Sequence, residues 1–229
     1  MKAFLLAAGL GTRVGPLTLA QPKCLLPIRG EPLLGYWLRL CRRHGVRELL
    51  INTHQFPEVV RAYLAGAARD LTVHVTFEPV LLGSAGTVRD NRWFVEGERA
   101  FFVLYSDNLT DADLSAMATF HAAREAPLTM ALFRAERPEA CGIATLDSAG
   151  RVVAFAEKPA RPASDLANAG IYVAGPDMLD LIPADGLADF GYHVLPQLVG
   201  RMYGFVLEGF HLDIGTPEHY ARANATWPH

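Results

Sequence analysis

The apolar run from Ala3 to Ala8 breaks directly into Gly9-Leu10-Gly11-Thr12-Arg13. A short apolar run closed by glycines reads as a buried strand whose end turns sharply. In an α/β sheet, ligands gather beyond the carboxyl ends of the strands, where this turn falls. Two glycines let backbone N–H groups approach an anion, and Arg13 and Lys23 add fixed positive charge suited to a polyphosphate. The pattern is neither common glycine loop. A P-loop requires Gly-x-x-x-x-Gly-Lys-Ser/Thr, and a dinucleotide loop needs a third glycine where Val14 stands.

The rest of the chain alternates strand and helix patterns. After a strand at 2–8, Leu33 to Arg43 has helical spacing and stops at Gly45. Glu48 to Asn52 reads as a strand, Pro57 to Leu64 as a helix, Leu71 to Phe77 as a strand, and Thr87 to Phe94 as a helix. Ala100 to Tyr105 is a buried strand, and Leu114 to Arg124 an amphipathic helix opened by Asp111 or Asp113. The second half is richer in strands, at Leu128–Arg134, Ile143–Leu146, Val152–Glu157 and Ala169–Val173, with Asp147 to Gly150 as a hairpin turn. This order predicts an α/β fold, a Rossmann-like, mostly parallel central sheet flanked by helices with a β-rich second part.

With 229 residues, half of them hydrophobic, and nothing resembling a linker, one domain is expected. The net charge of -3 and the lack of a basic cluster argue against a nucleic-acid partner. No stretch has membrane-spanning length and no secretory segment opens the chain. Three cysteines without metal-type spacing fit a reduced, cytoplasmic protein. Cys24 beside Lys23 reads as packing, and His54, His74, His121, His193 and His211 show no ligand spacing. A homo-oligomer is left open.

Asp107 follows the strand at 100–105, where a carboxylate can hold a hard cation or simply form a turn. Asp213 precedes Gly215-Thr216-Pro217, a pattern that also opens a helix, with Thr216 as cap and Pro217 in its first turn. Asp111-Ala112-Asp113 mimics the D-x-D of metal-dependent glycosyltransferases, but helix capping explains it better.

The string G-x-G-T-R-x-x-P-L-T from Gly9 to Thr18, followed by Pro22-Lys23, resembles the signature of the sugar-1-phosphate nucleotidyltransferases, or NDP-sugar pyrophosphorylases. Further matches follow in order along nearly the whole chain: Glu78-Pro79, Leu82-Gly83-Ser84-Ala85-Gly86, Glu157-Lys158-Pro159, Asn168-Ala169-Gly170 and Asp213-Ile214-Gly215-Thr216-Pro217. The resemblance is nearest to the short mannose-1-phosphate and heptose-1-phosphate guanylyltransferases, without the C-terminal β-helix of some relatives.

The resemblance implies transfer of a nucleotidyl group from an NTP, with GTP favoured, to a mannose- or heptose-type sugar-1-phosphate. It implies nucleotide contacts from Leu6, Ala8, Gly9, Gly11, Thr12, Gly83 and Ser84, and sugar contacts from Glu157, Asn168 and Gly170. Arg13, Lys23 and Lys158 would be catalytic, and Asp107 and Asp213 would ligate Mg²⁺. Residues 1 to about 126 would bind nucleotide, and about 127 to 229 the sugar phosphate. The alternatives are uridylyl-, thymidylyl- or cytidylyltransfer, including to MurNAc-1-phosphate, glucose-1-phosphate or choline phosphate, and a non-catalytic nucleotide-sugar-binding regulator.

Overall fold

A computed structural model describes residues 1–228. In chain order the elements are β1 (Ala3–Leu6), β2 (Pro27–Ile28), β3 (Glu31–Pro32), α1 (Leu33–Arg43), β4 (Glu48–Thr53), α2 (Pro57–Ala67) and β5 (Thr72–Phe77). There follow α3 (Ser84–Asp90), β6 (Phe101–Tyr105), β7 (Asn108–Thr110), α4 (Leu114–Ala122), β8 (Leu128–Arg134) and β9 (Gly142–Leu146). The chain closes with β10 (Val152–Glu157), β11 (Leu166–Ala174), β12 (Tyr203–Val206), β13 (His211–Asp213) and α5 (Pro217–Thr226). These sort into two compact units, each discontinuous in sequence.

The first unit comprises Met1–Leu81, Leu104–Ala112 and the chain from Gly209 onward. Its sheet is parallel, β1 beside β4 and β4 beside β5, with Leu5 opposite Ile51 and Ile51 opposite Val75. Helices return the chain between these strands, as parallel pairing requires. In α1 the residues Leu33, Leu34, Trp37, Leu38 and Cys41 are buried, the stripe expected of a helix lying on a sheet. Its basic last turn, Arg42 and Arg43, favourably meets the carboxyl end of the helix dipole. Each buried side chain of this size contributes about 1.5–3 kcal/mol.

The hairpin-like pairing of β13 with β7 sets Asp213 opposite Asn108, and the Ile214 N–H donates to the Asp107 carbonyl at 3.1 Å. That pairing brings two sequence-distant carboxylates together. As expected, α5 begins at Thr216, whose Oγ1 accepts from the His219 N–H at 3.2 Å, with Pro217 in its first turn.

The second unit comprises Leu82–Val103 and Asp113–Glu208. Here strands pair mainly antiparallel: β8 with β11 and β9 with β10, while β12 lies parallel to β8. The turn at Asp147–Gly150 joins β9 to β10, closed by the Asp147 N–H to the Arg151 carbonyl at 2.9 Å. Of the two candidate caps for α4, Asp113 caps, accepting from the Ala116 N–H at 2.8 Å. Asp111 does not cap; it belongs to the first unit.

Several boundaries differ from expectation: α2 runs on to Ala67, β11 begins at Leu166 and α4 stops at Ala122. The first strand stops at Leu6, where the next amide, Ala7 N–H, is taken by the Asn52 side chain at 2.7 Å and not by a neighbouring strand's backbone. The helix expected at 87–94 begins at Ser84 and gives way at Asn91 to a 3-10 turn over Arg92–Val95. Its early start depends on partners remote in sequence that satisfy its first amides.

Candidate active site

In the first unit, the glycine turn after β1 is fixed from beneath. Asn52, at the end of β4, accepts from the Ala7 N–H at 2.7 Å and donates to the buried Glu78 carboxylate at 2.8 Å. Ala8 is buried and Gly9 exposed. Gly11 takes the left-handed conformation, φ +64°, and a Cβ there would stand 2.8 Å from Thr18 Cγ2 and 3.1 Å from Lys23 Cβ. Only glycine fits both the angle and the space. Thr18 Oγ1 closes the loop on the Gly11 and Gly15 carbonyls, each at 3.1 Å. Thr12 and Arg13 are thereby left on the surface of a short 3-10 turn.

Lys23 is the centre of the cluster. Its Nζ lies 2.9 Å from Asp107 Oδ2 and 3.4 Å from Asp213 Oδ1, and Arg13 Nη2 lies 3.7 Å from Asp213 Oδ2. The Lys23 side chain is 6% exposed, against 41% for Asp107, 38% for Asp213 and 69% for Arg13. Burial alone would raise the pKa of Asp107. The neighbouring Lys23 ammonium, with Arg13 behind it, outweighs that and holds the carboxyl below its ordinary value. Cys24 is buried, which pushes its thiol up to about 12 and leaves it inert packing.

A single buried ammonium between two half-exposed carboxylates is a cation position with hard oxygen donors on two sides. Mg²⁺ is held through one or two carboxylates, retained waters and phosphate oxygens, not a full protein cage. Among the described residues no group of three or more His, Cys, Asp or Glu forms a metal cage. Asp107 and Asp213 therefore fit a hard divalent ion shared with a phosphate.

The second unit holds the remaining named residues. Glu157, at the end of β10, faces Gly142 of β9. Burial raises the pKa of Glu157, with Lys158 opposing and Asp189 adding to the rise. Lys158 is exposed and left-handed, φ +49°, its N–H donating to the Cys141 carbonyl at 3.0 Å. That conformation costs a non-glycine residue about 1–3 kcal/mol and is the kind of strain that clusters at functional sites.

Asn168 sits where the β11–β8 register shifts; it accepts from the Gly170 N–H at 3.0 Å and donates to the Tyr172 hydroxyl at 2.7 Å. Ser84 opens α3 after Gly83, its N–H donating to Asp189 Oδ1 at 3.0 Å and its hydroxyl to the same oxygen at 3.2 Å.

Asp189 escapes a reading from sequence. It lies in no motif that the glycine loops announce, and only its position before Phe190-Gly191 hints at a tight turn. The histidines meet backbone and neighbouring side chains: His193 Nδ1 accepts from the Asp189 N–H at 3.0 Å, buried His121 pairs with Thr129 Oγ1 at 2.9 Å, and His74 Nε2 lies 3.5 Å from Glu48 Oε1.

Comparison with known proteins gives the family and the fold. The family model described as nucleotidyl transferase matches residues 2–228. Mannose-1-phosphate guanylyltransferase of Mycobacterium tuberculosis is 34% identical over 97% of this chain and 63% of its own length. Mannose-1-phosphate guanylyltransferase 1 of Arabidopsis thaliana is 32% identical over 96% of this chain and 63% of its own. The chain thus spans somewhat under two thirds of these relatives.

Among solved structures, a putative glucose-1-phosphate thymidylyltransferase from Bacillus anthracis superposes with a TM-score of 0.85 at 23% identity, covering 98% of this chain and 94% of that one. HddC from Yersinia pseudotuberculosis, solved with GMP-PN, gives 0.82 at 22% identity, covering 99% of each chain. At such identities these structures establish the α/β fold.

Proposed function

The chain belongs to the nucleotidyl transferase family, and from that premise we propose that it transfers a nucleotidyl group from GTP to mannose-1-phosphate or a similar hexose- or heptose-1-phosphate, releasing pyrophosphate. The observation that carries the proposal is the Lys23 ammonium set between Asp107 and Asp213 with Arg13 alongside. The curated names of the relatives favour the GTP and mannose pairing.

A phosphate monoester has its second pKa at about 6, so the attacking oxygen is already largely ionised at neutral pH and no general base is required. The chemical difficulty is to bring two anions together in line. Cationic side chains meet that difficulty through charge stabilisation and alignment. Arg13 binds the β,γ-phosphates and stabilises charge as pyrophosphate departs. Lys23 neutralises the phosphate at the reacting centre. Lys158 seats the attacking phosphate, with Glu157, Asn168 and Gly170 on the sugar.

Leu6, Ala8, Gly9, Gly11, Thr12, Gly83 and Ser84 line the nucleotide. Residues 1 to about 126 supply most of the nucleotide contacts, and the remainder the sugar phosphate. Asp107 and Asp213 would hold Mg²⁺, which would supply charge neutralisation to the phosphates of the two reactants. The free cysteines accord with a cytoplasmic setting.

A matrix of common NTPs against mannose-, heptose-, glucose- and MurNAc-1-phosphate, with Mg²⁺ and scored by pyrophosphate release, tests the reading. GTP with mannose-1-phosphate is expected to give the highest kcat/KM. Preference for another pair overturns the substrate assignment, and silence from every pair overturns nucleotidyl transfer.

A further inference from the structure

The first amides of a helix have no partner within it and must find one elsewhere. In α3 they find it about a hundred residues away. Besides the Ser84 N–H on Asp189 Oδ1, the Ala85 and Gly86 N–H groups donate to the Ala188 carbonyl at 2.8 and 2.9 Å. In return, the Ala188 N–H donates to the Leu82 carbonyl at 2.9 Å and the Phe190 N–H to Ser84 Oγ at 3.0 Å. A Cβ on Gly83 would collide with the Ala188 carbonyl, so the loop can lie on this turn only as glycine. The turn is itself pinned through His193 on the Asp189 N–H.

The same turn meets the other two motifs of the unit. A Cβ on Gly191 would stand 2.6 Å from Glu157 Oε2, and one on Gly142 at 2.5 Å from the same oxygen. The carboxylate of Glu157 therefore occupies a slot between two glycines. Phe190 stacks on Tyr172 with ring centroids 5.0 Å apart and 12° between planes, and Tyr172 holds Asn168. One half-buried turn thus meets the 82–86 loop, Glu157 and, through Tyr172, the Asn168 bulge.

We infer that residues 188–191 are the positioning element of both substrate loops, with Asp189 setting the nucleotide loop through Ser84 and Gly191 keeping open the seat of Glu157. This deepens the nucleotidyl-transfer reading and rests on it for which substrate each loop meets. Asp189 acts through Ser84 and is a positioning residue. Because the amides of Ser84, Ala85 and Gly86 are already committed, its effect on nucleotide comes from where it sets the loop.

The test uses Asp189→Ala, Asp189→Asn and Gly191→Ala in the full chain. It combines steady-state pyrophosphate release, each substrate varied in turn, with amide hydrogen exchange at 84–86. Asp189→Ala should raise the NTP KM roughly tenfold or more, with a smaller fall in kcat, and speed exchange at 84–86 by at least about tenfold. Asp189→Asn keeps an acceptor oxygen and should recover most of both losses. Gly191→Ala should raise the sugar-phosphate KM by about tenfold and the NTP KM far less.

The inference is overturned if Asp189→Ala leaves exchange at 84–86 unchanged, if Asn and Ala behave alike, or if Gly191→Ala shifts both KM values equally. Should Asp189→Ala not fold, Ser84→Ala decides, since it removes the hydroxyl that bonds both Asp189 and Phe190: faster exchange at 84–86 than in the parent, short of general unfolding, supports the clamp, and parental exchange with parental KM removes it. A parent protein that turns over no substrate pair defeats the function instead, while the exchange measurement still decides the clamp.

Discussion

Replacing Lys23 with methionine isolates the charge at the centre of the site. Methionine keeps most of the length and volume of the buried stem but removes the ammonium that lies 2.9 Å from Asp107 and 3.4 Å from Asp213. At an effective dielectric near 20, each contact is worth about 5 kcal/mol before desolvation. Burying the ammonium offsets most of that gain, and the two carboxylates are 41% and 38% exposed, so they rehydrate when it is lost. The net loss of folding stability should therefore be about 1–3 kcal/mol, below the cost of stranding a fully buried charge.

Catalysis should suffer more, with kcat falling by at least about a hundredfold, because the proposed mechanism assigns this charge to the reacting phosphate. The third consequence is the most discriminating. If the ammonium stands in the cation position, its removal should tighten Mg²⁺ binding to the nucleotide-free protein, read by titration calorimetry. Asp107 should also lose its depressed pKa. A depressed carboxyl stabilises the fold above its unfolded pKa and loses that contribution as pH falls through the folded one, so acid unfolding of the variant should begin at higher pH. Weaker Mg²⁺ binding, or activity within threefold of the parent, refutes the reasoning.

Asp107→Ala and Asp213→Ala should each lower Mg²⁺-dependent turnover by about a hundredfold or more with the thermal transition largely kept; retained activity in both defeats the metal assignment. Arg13→Ala should lower kcat more than it raises the sugar-phosphate KM, and equal effects on the two would remove its transition-state role. His211 is held down to about 4 by burial, with Asp107 opposing, so the unfolded chain takes up its proton first. Stability should therefore fall as pH drops from about 6.5 toward 4, by up to about 3 kcal/mol, and His211→Gln should flatten that limb in urea melts. Gly11→Ala, placing a methyl 2.8 Å from Thr18 Cγ2 in a left-handed backbone, should cost about 1–3 kcal/mol; an unchanged urea midpoint would contradict the strain.

Much of the fold is legible in the sequence. Helical spacing and a closing glycine placed α1 at Leu33–Arg43, and β8 and β10 fall at Leu128–Arg134 and Val152–Glu157 as their apolar runs require. These elements are set by patterns within a dozen residues, the range over which periodicity and capping act. The short strands β7, β12 and β13 escaped notice, since runs of 3 or 4 residues carry no period of their own and exist because a partner strand is present.

The sequence by itself determined which groups the protein could bring to its chemistry: the glycine turn, Arg13, Lys23, two isolated aspartates and the order of the loops that follow. Tertiary structure alone decided how those groups meet. The β13–β7 pairing sets Asp213 beside Asp107, Lys23 closes the gap between them, and Asp189 reaches back to the start of α3. Pairing of remote strands and capping from remote turns depend on where the folded backbone returns, and no local pattern in the chain encodes that distance.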